Sequence, residues 1–173
     1  MSGIINGLNS TTRTIQSTRS GMPLNTVHGS NYSENLMDTG WTSIGLTATI
    51  PNLHQSNAKV LISFTVQYGF YSGSTHSPSF IVRAYEDVNA TGSDTAIGDS
   101  QIMTFQWDVP ANKWRTNSLS NSGYLRQVTN TKGQSYKVTI YGSIPQGSGY
   151  SNVNHGGVYA DTRNQLTLIE ISK

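Results

Sequence analysis

The chain contains no cysteine, which removes disulfide staples and thiol chemistry from consideration. Charge is scarce as well. Asp, Glu, Lys and Arg make up 12% of the 173 residues, against about 25% in an ordinary soluble domain. A formal net charge of +2 is too small for nucleic-acid binding to be the main task. Arg13 and Arg19 account for all of it, since no acid precedes Glu34 and the remainder balances. No apolar run approaches the roughly 20 residues that a membrane helix requires. The opening Met1-Ser2-Gly3-Ile4-Ile5-Asn6-Gly7 lacks the charged start and apolar stretch of a secretion signal. These absences predict synthesis in a cytoplasm, with any later exit made as part of something larger. The triplets at Asn9, Asn31 and Asn89 fit the glycosylation pattern, but Ser and Thr are common enough here for chance to produce them.

Catalytic motifs are missing too. The chain has no G-x-S-x-G elbow, no G-x-x-x-x-G-K-[ST] phosphate loop and no H-E-x-x-H zinc helix. His28, His54, His76 and His155 share no ligand spacing, so no metal site is expected. Nine acids in the whole chain make a glycosidase carboxylate pair a poor fit. Asp87, Asp94 and Asp99 bracket a turn and offer oxygen ligands of the kind calcium takes. Their spacing lacks the one-three-five pattern of an EF-hand loop, so an ordinary solvated loop is the expectation. No cofactor is expected, and the chain reads as non-enzymatic.

What is present is strand signal. Ile44, Leu46, Ala48 and Ile50 alternate with Gly45, Thr47 and Thr49 and stop at Pro51. Val60, Ile62, Phe64, Val66 and Tyr68 repeat the two-residue period, as do Phe80-Val82-Ala84 and Tyr136-Val138-Ile140. From Gln165 to Ser172 both faces are largely apolar, which predicts a central strand covered on two sides. Weaker strands are expected within Thr95–Phe105 and Tyr124–Thr129. Turn-rich stretches separate these runs, including Ser72-Gly73-Ser74, Asn89 to Ser93 and Thr131-Lys132-Gly133. No segment carries a capped helical stripe. Short strands with polar turns predict an all-β sandwich or jelly roll. The last strand ends next to Lys173, so it is expected to close the fold.

Ser, Thr, Asn, Gln and Gly replace the missing charge, giving a surface that hydrogen-bonds without strong fields and lets identical subunits approach. The first part of the chain differs from the rest. Ile4, Ile5, Leu8 and Ile15 are isolated apolar points in a polar background with Arg13 and Arg19. Such a segment cannot by itself offset its ordering entropy, which predicts an extended N-terminal arm over 1–25 and a β-sandwich over 26–173. A strand from Leu24 to Ser30 also fits as the start of the domain. The richest loop is expected at Asp108 to Arg115, with Trp107 just before it and Trp114 inside it. Tyr71 and Tyr150 are placed in other Gly/Ser-rich loops. Aromatic faces beside Asn and Asp suit a glycan surface, although packing of Trp107 and Trp114 against the sandwich or a neighbouring subunit is the stronger expectation.

The opening Ser2 to Gly7 followed by Ser10 to Ile15 resembles the short leader of small tailed-phage virion proteins. Gly40-Trp41, Ile62 to Val66, Phe80 to Tyr85 and the closing Leu166 to Ile171 resemble their TNF/C1q-type jelly-roll heads. The resemblance implies a homotrimer in the virion, assembled in the host cytoplasm, with Leu166, Leu168 and Tyr141 near a threefold axis. It implies an arm (Ile4, Ile5, Leu8, Arg13, Ile15 and Arg19) that binds the major capsid protein or a tail platform protein. Two roles follow from it: a head decoration or cement protein, or a tail-fibre or spike tip that binds a host glycan through Trp107, Trp114, Tyr71 and Tyr150. With about thirty residues before the head and no shaft repeat, decoration is the expectation. Neither nucleic acid nor membrane is an expected partner.

Overall fold

The computed structural model describes residues 21–31, 35–37, 40–72, 79–105, 111–121, 123–144, 150–153 and 164–173. Residues 35–37, 70–72, 104–105, 114–115 and 150–153 are described by their backbone alone. The strands run β1 (Pro23–Asn31), β2 (Asn35–Met37), β3 (Thr42–Ile50), β4 (Lys59–Ser72), β5 (Ser79–Val88) and β6 (Thr95–Ala96). They continue with β7 (Ile102–Phe105), β8 (Lys113–Ser120), β9 (Tyr124–Gln127), β10 (Tyr136–Ser143), β11 (Tyr150–Val153) and β12 (Asn164–Ile171). A 3-10 turn at Gly98–Ser100 is the single helical element among the described residues.

Every pairing is antiparallel, and the strands form two sheets. In the first sheet, β12 and β11 follow one another along one edge of β4, while β9 and β8 follow one another along its other edge. Beyond β12 and β11 lie β1 and β2, respectively. In the second sheet β10 lies between β3 and β5, and β5 also pairs with β6 and β7. Counting each interrupted strand once gives four strands against four, the all-β jelly-roll sandwich expected from the sequence.

Alternation decides what is inside. Val60, Ile62, Phe64, Val66 and Tyr68 of β4 meet Phe80, Val82 and Ala84 of β5 and Tyr136, Val138 and Ile140 of β10 in one core. Ile44, Leu46, Ala48 and Ile50 of β3 close it on one side. Tyr68 and Phe80 stack across the sandwich with ring centroids 5.0 Å apart. Each fully buried Leu, Ile or Phe contributes about 1.5–3 kcal/mol of transfer free energy. These runs were legible as strands because the whole core face of each is apolar.

The strand expected from Leu24 to Ser30 is present as β1, which starts at Pro23, three residues before the position where the sandwich was expected to begin. Thr26, Val27 and His28 of β1 pair with Ile169, Leu168 and Thr167 of β12, so the sandwich begins inside the segment read as an arm. Gly21 N–H donates to Ser172 O at 2.9 Å, and Ser172 N–H donates to Met22 O at 2.8 Å. Met22 N–H also donates to Ser172 Oγ at 3.0 Å. This clasp fixes Gly21 and Met22 at one pole of the sandwich, beside the end of β12.

Two further corrections concern the predicted loops. Lys113, Trp114 and Arg115 lie in β8, paired with Ser72, Tyr71 and Phe70. Tyr71 and Tyr150 lie in β4 and β11 and pair with each other. The β8 strand sits at the sheet edge, where a polar sequence is tolerated and guards against pairing with other chains. Leu119 is its one described core residue, so it has no apolar period to read.

The two sheets approach closely where β1 passes β3. A Cβ built on Gly29 would overlap the Thr47 carbonyl oxygen and lie 2.8 Å from its carbon. Replacing Gly29 with Ala therefore forces a backbone shift and is expected to cost on the order of 1–3 kcal/mol. Urea denaturation at neutral pH checks this, and an unchanged midpoint would show that the edge can open freely.

Candidate functional site

The connections at the pole away from the clasp follow β2, β4, β7 and β10. Of the residues expected there, Trp107 lies outside the described residues, as do Ile4, Ile5, Leu8, Arg13, Ile15 and Arg19 of the arm. The remaining three are brought together by register. Tyr150 of β11 pairs with Tyr71 of β4, and Tyr71 pairs with Trp114 of β8. One row across three adjacent strands thus carries three aromatic residues near that pole. In β4, Tyr71 continues the odd-numbered positions, which alternate with core residues Val66 and Tyr68.

A second group of aromatic residues, of which the sequence singled out only Tyr141 as a candidate site residue, lies on the outer face of β3, β10 and β5. Tyr85 and Tyr141 have ring centroids 4.2 Å apart, and Trp41 lies 6.3 Å from Tyr85. The Arg83 guanidinium stands 4.6 Å from the Trp41 ring centroid, a cation–π contact. Arg83 also donates to Gln101. The signal was available, because Arg83, Tyr85 and Tyr141 occupy the polar half of two clear alternations. What it lacked was the pairing of β10 with β5, which sets Tyr141 opposite Arg83.

Tyr141 therefore belongs to the outer face of the second sheet, whereas Leu166 and Leu168 are wholly buried in the core facing it. The structure does not bring these three together, and the two leucines are not at a subunit surface. The physical reason is parity. Leu166 and Leu168 pair with Phe64 and Ile62, the inward residues of β4. The outward half of β12 is Thr167, Ile169 and Ile171. Ile169 pairs with Leu61 and Thr26, and Leu61 pairs with Leu125. This row is partly apolar and solvent-facing, with Leu125 53% exposed.

Charged groups are mostly spent on holding the fold together. Glu86 of β5 accepts from Arg126 Nε at 3.0 Å and from Arg126 Nη2, and from Tyr136 Oη at 2.9 Å. Since Arg126 is in β9, this links the two sheets. Burial and the Glu86 carboxylate push the Tyr136 phenol far above its ordinary value, while hydrogen bonding to Glu86 raises Arg126. Glu170, on the inward half of β12, has no solvent exposure. It accepts from His54 N at 2.8 Å and Gln55 N at 3.2 Å, and lies 3.0 Å from His54 Nδ1.

Two of the three acids weighed as calcium ligands, Asp87 and Asp94, also have partners inside the protein. Lys137 Nζ lies 2.8 Å from Asp94 Oδ1 and 3.5 Å from Asp87 Oδ2, so an ammonium occupies the space between them. Asp87 also accepts from Thr91 Oγ1 at 2.7 Å, Thr91 N at 2.8 Å and Gly92 N at 3.0 Å. Among the described residues no group of three His, Asp or Glu is arranged to hold a metal ion.

No protein-family profile matches the chain, and no curated protein matches it. Solved structures do. The chain is similar to Eiger TNF from S. frugiperda at 8% identity and a TM-score of 0.46, over 88% of this chain and 95% of that one. It is similar to a chain of infectious bursal disease virus strain Gx at 16% identity and a TM-score of 0.36, over 89% of this chain but 38% of the viral one. A third similarity is to the CBM22-1 xylan-binding domain of Paenibacillus barcinonensis Xyn10C, at 8% identity and a TM-score of 0.28. It spans 90% of this chain and 98% of that domain.

The Asp87 contacts carry a pH dependence. The Thr91 hydroxyl foremost, with the Thr91 and Gly92 amides and Lys137, holds the Asp87 carboxyl below its ordinary value against the opposing effect of burial. Its folded pKa is depressed, so its stabilisation is present above the unfolded value of about 3.9. It is lost as pH falls through the folded value. Urea midpoints measured from mildly acidic to strongly acidic pH should fall less steeply in Asp87→Asn than in the wild type. Parallel curves would remove Asp87 from the acid response.

Proposed function

We propose that this protein is a non-enzymatic structural protein of a tailed-phage virion. In this reading it is a homotrimeric head decoration protein that attaches to the major capsid protein through residues 1–20. The observation that carries the reading is the clasp of Gly21 and Met22 on Ser172. It fixes Gly21 and Met22, where residues 1–20 join the sandwich, at the pole opposite the connections that follow β2, β4, β7 and β10, which is the polarity an attached surface protein needs. The leader resemblance and the low charge support the same reading. The trimer contact is assigned to the outward row Thr26–Ile169–Leu61–Leu125. A half-exposed apolar strip on a jelly-roll sheet is suited to burial against another subunit.

Deleting residues 1–20 removes no described strand and leaves Gly21 and Met22 in place. The truncated protein is expected to keep its melting temperature and its oligomeric state while losing attachment to virions depleted of the protein. Undiminished attachment would sink the arm mechanism.

A second reading is favoured by the row Tyr150–Tyr71–Trp114 at the far pole. Aromatic residues gathered opposite the attachment end suit a tail tip that stacks on a host glycan. Copy number separates the two. Quantitative mass spectrometry of purified virions, referenced to the major capsid protein, is expected to find the protein in numbers comparable with the shell subunits. A few copies per particle would favour the tip, and absence from virions would discard both.

A further inference from the structure

We infer that the pole carrying the clasp is a preformed basic docking face for an acidic protein surface. This deepens the attachment reading above and rests on it for the identity of the platform. The lysines of this pole converge on one turn. Lys173 Nζ donates to Ser56 O at 2.7 Å, and Lys132 N–H donates to Ser56 Oγ at 3.0 Å. Lys59 follows the same turn at the start of β4, where it pairs with Ile171 and Gln127. All three lysines are exposed, and none forms an ion pair among the described residues.

The acids at this end point the other way. Glu170 is buried against the His54 and Gln55 amides, and Glu86 is held by Arg126 and Tyr136. Asp87 is tied to Thr91, Gly92 and Lys137, and Asp94 to Lys137 and Tyr141. Each carboxylate turned into the fold leaves the outward charge of the pole to the lysines.

The floor beneath the lysines is rigid. Loop 51–58 and loop 128–135 are cross-bonded, with Leu53 N donating to Gln134 O at 2.9 Å and Gly133 N to Leu53 O at 2.8 Å. Asn57 N donates to Asn130 O at 3.0 Å. The Asn130 amide accepts from Ala58 N at 2.9 Å and donates to Gln55 O at 2.9 Å and Thr131 O at 2.8 Å. The frame fixes the lysine backbones, and the Ser56 carbonyl holds the Lys173 ammonium, so docking needs no ordering of the loops, which is the usual benefit of preorganisation. Three lysines per chain neutralise too few phosphates for a nucleic-acid site. They match an acidic protein patch, where complementary charge speeds encounter and sets orientation. In a trimer the face would be repeated three times, and modest contacts would add by avidity.

The test uses the full-length chain and three probes: immobilised poly-L-glutamate, a short DNA duplex and phosphatidylserine vesicles, each at low and physiological salt. Poly-L-glutamate should bind best, and its binding should weaken with salt. The triple variant Lys59→Glu, Lys132→Glu, Lys173→Glu should bind it at least about tenfold more weakly. Lys113→Glu, exposed at the other pole, should bind like the wild type. A triple Lys→Gln variant with an unchanged melting temperature guards against a folding defect and should also lose binding. Equal binding by the triple variants, or tighter binding of duplex or vesicles, would overturn the inference. Because no virion enters this assay, its result is independent of whether the attachment reading stands.

Discussion

The fold depends on satisfying the backbone of β4. This strand is 14 residues long and has neighbours on both edges, yet each neighbour is broken partway along it. On one edge β9 ends its pairing at Ile62 and β8 begins at Thr65. On the other, β12 stops at Thr65 and β11 begins at Tyr68. A buried amide without a partner costs about 1–3 kcal/mol, so both gaps have to be filled. Asparagines fill them. Asn121 accepts from Phe64 N at 2.6 Å and donates to Ile62 O at 2.9 Å, while Asn164 accepts from Gln67 N at 2.7 Å. With the ladder continued by side chains, one long strand can serve four short ones and still present a single apolar face to the core.

The same device recurs in the other sheet. Ile44 and Gly45 are extra residues in β3 opposite the step from Ile140 to Tyr141, and Gly45 takes a φ of 73°, as a bulge requires. Gly45 N–H finds Ser43 Oγ at 3.2 Å, and the Ile44 carbonyl accepts from the Asn31 side chain. Because Asn31 belongs to β1, the bulge is also where the two sheets are stitched at their edge. Small polar side chains, abundant in this composition, therefore carry part of the ladder.

The division between legible and hidden features follows from this. Strands whose core face is fully apolar, such as Val60 to Tyr68 or Tyr136 to Ile140, are written in the sequence as an alternation. Edge strand β8 is not, because its polar residues report solvent and pairing rather than burial, whereas β1 was legible as a strand from Leu24 to Ser30 and lies at Pro23–Asn31. Trp114 and Tyr71 were assigned to loops on the strength of nearby Gly, Ser and Asn, and those residues belong to strands here. The central place of β12, between β1 and β4, agrees with its pattern, but its outward residues Thr167, Ile169 and Ile171 are only partly buried within the chain, and the choice of outward face required the register with β4, a contact about a hundred residues away. Glu170 gave no signal at all. An acid in a closing strand reads as solvent-facing until the loop that supplies its donors is known.

The pairing of β1 with β12 has a consequence for how the protein is made. His28 and Thr167 share a hydrogen bond across 139 residues of chain, and Met22 and Ser172 across 150. Among the described strands β1 has its sheet partner only in β12, so it must wait for about 130 further residues to be made before it can pair. The early chain is therefore exposed throughout translation, and closure of the first sheet is a late event with a large loop entropy to overcome. A polar β1, poor in large apolar groups, is well suited to that delay, since it offers little for another nascent chain to seize.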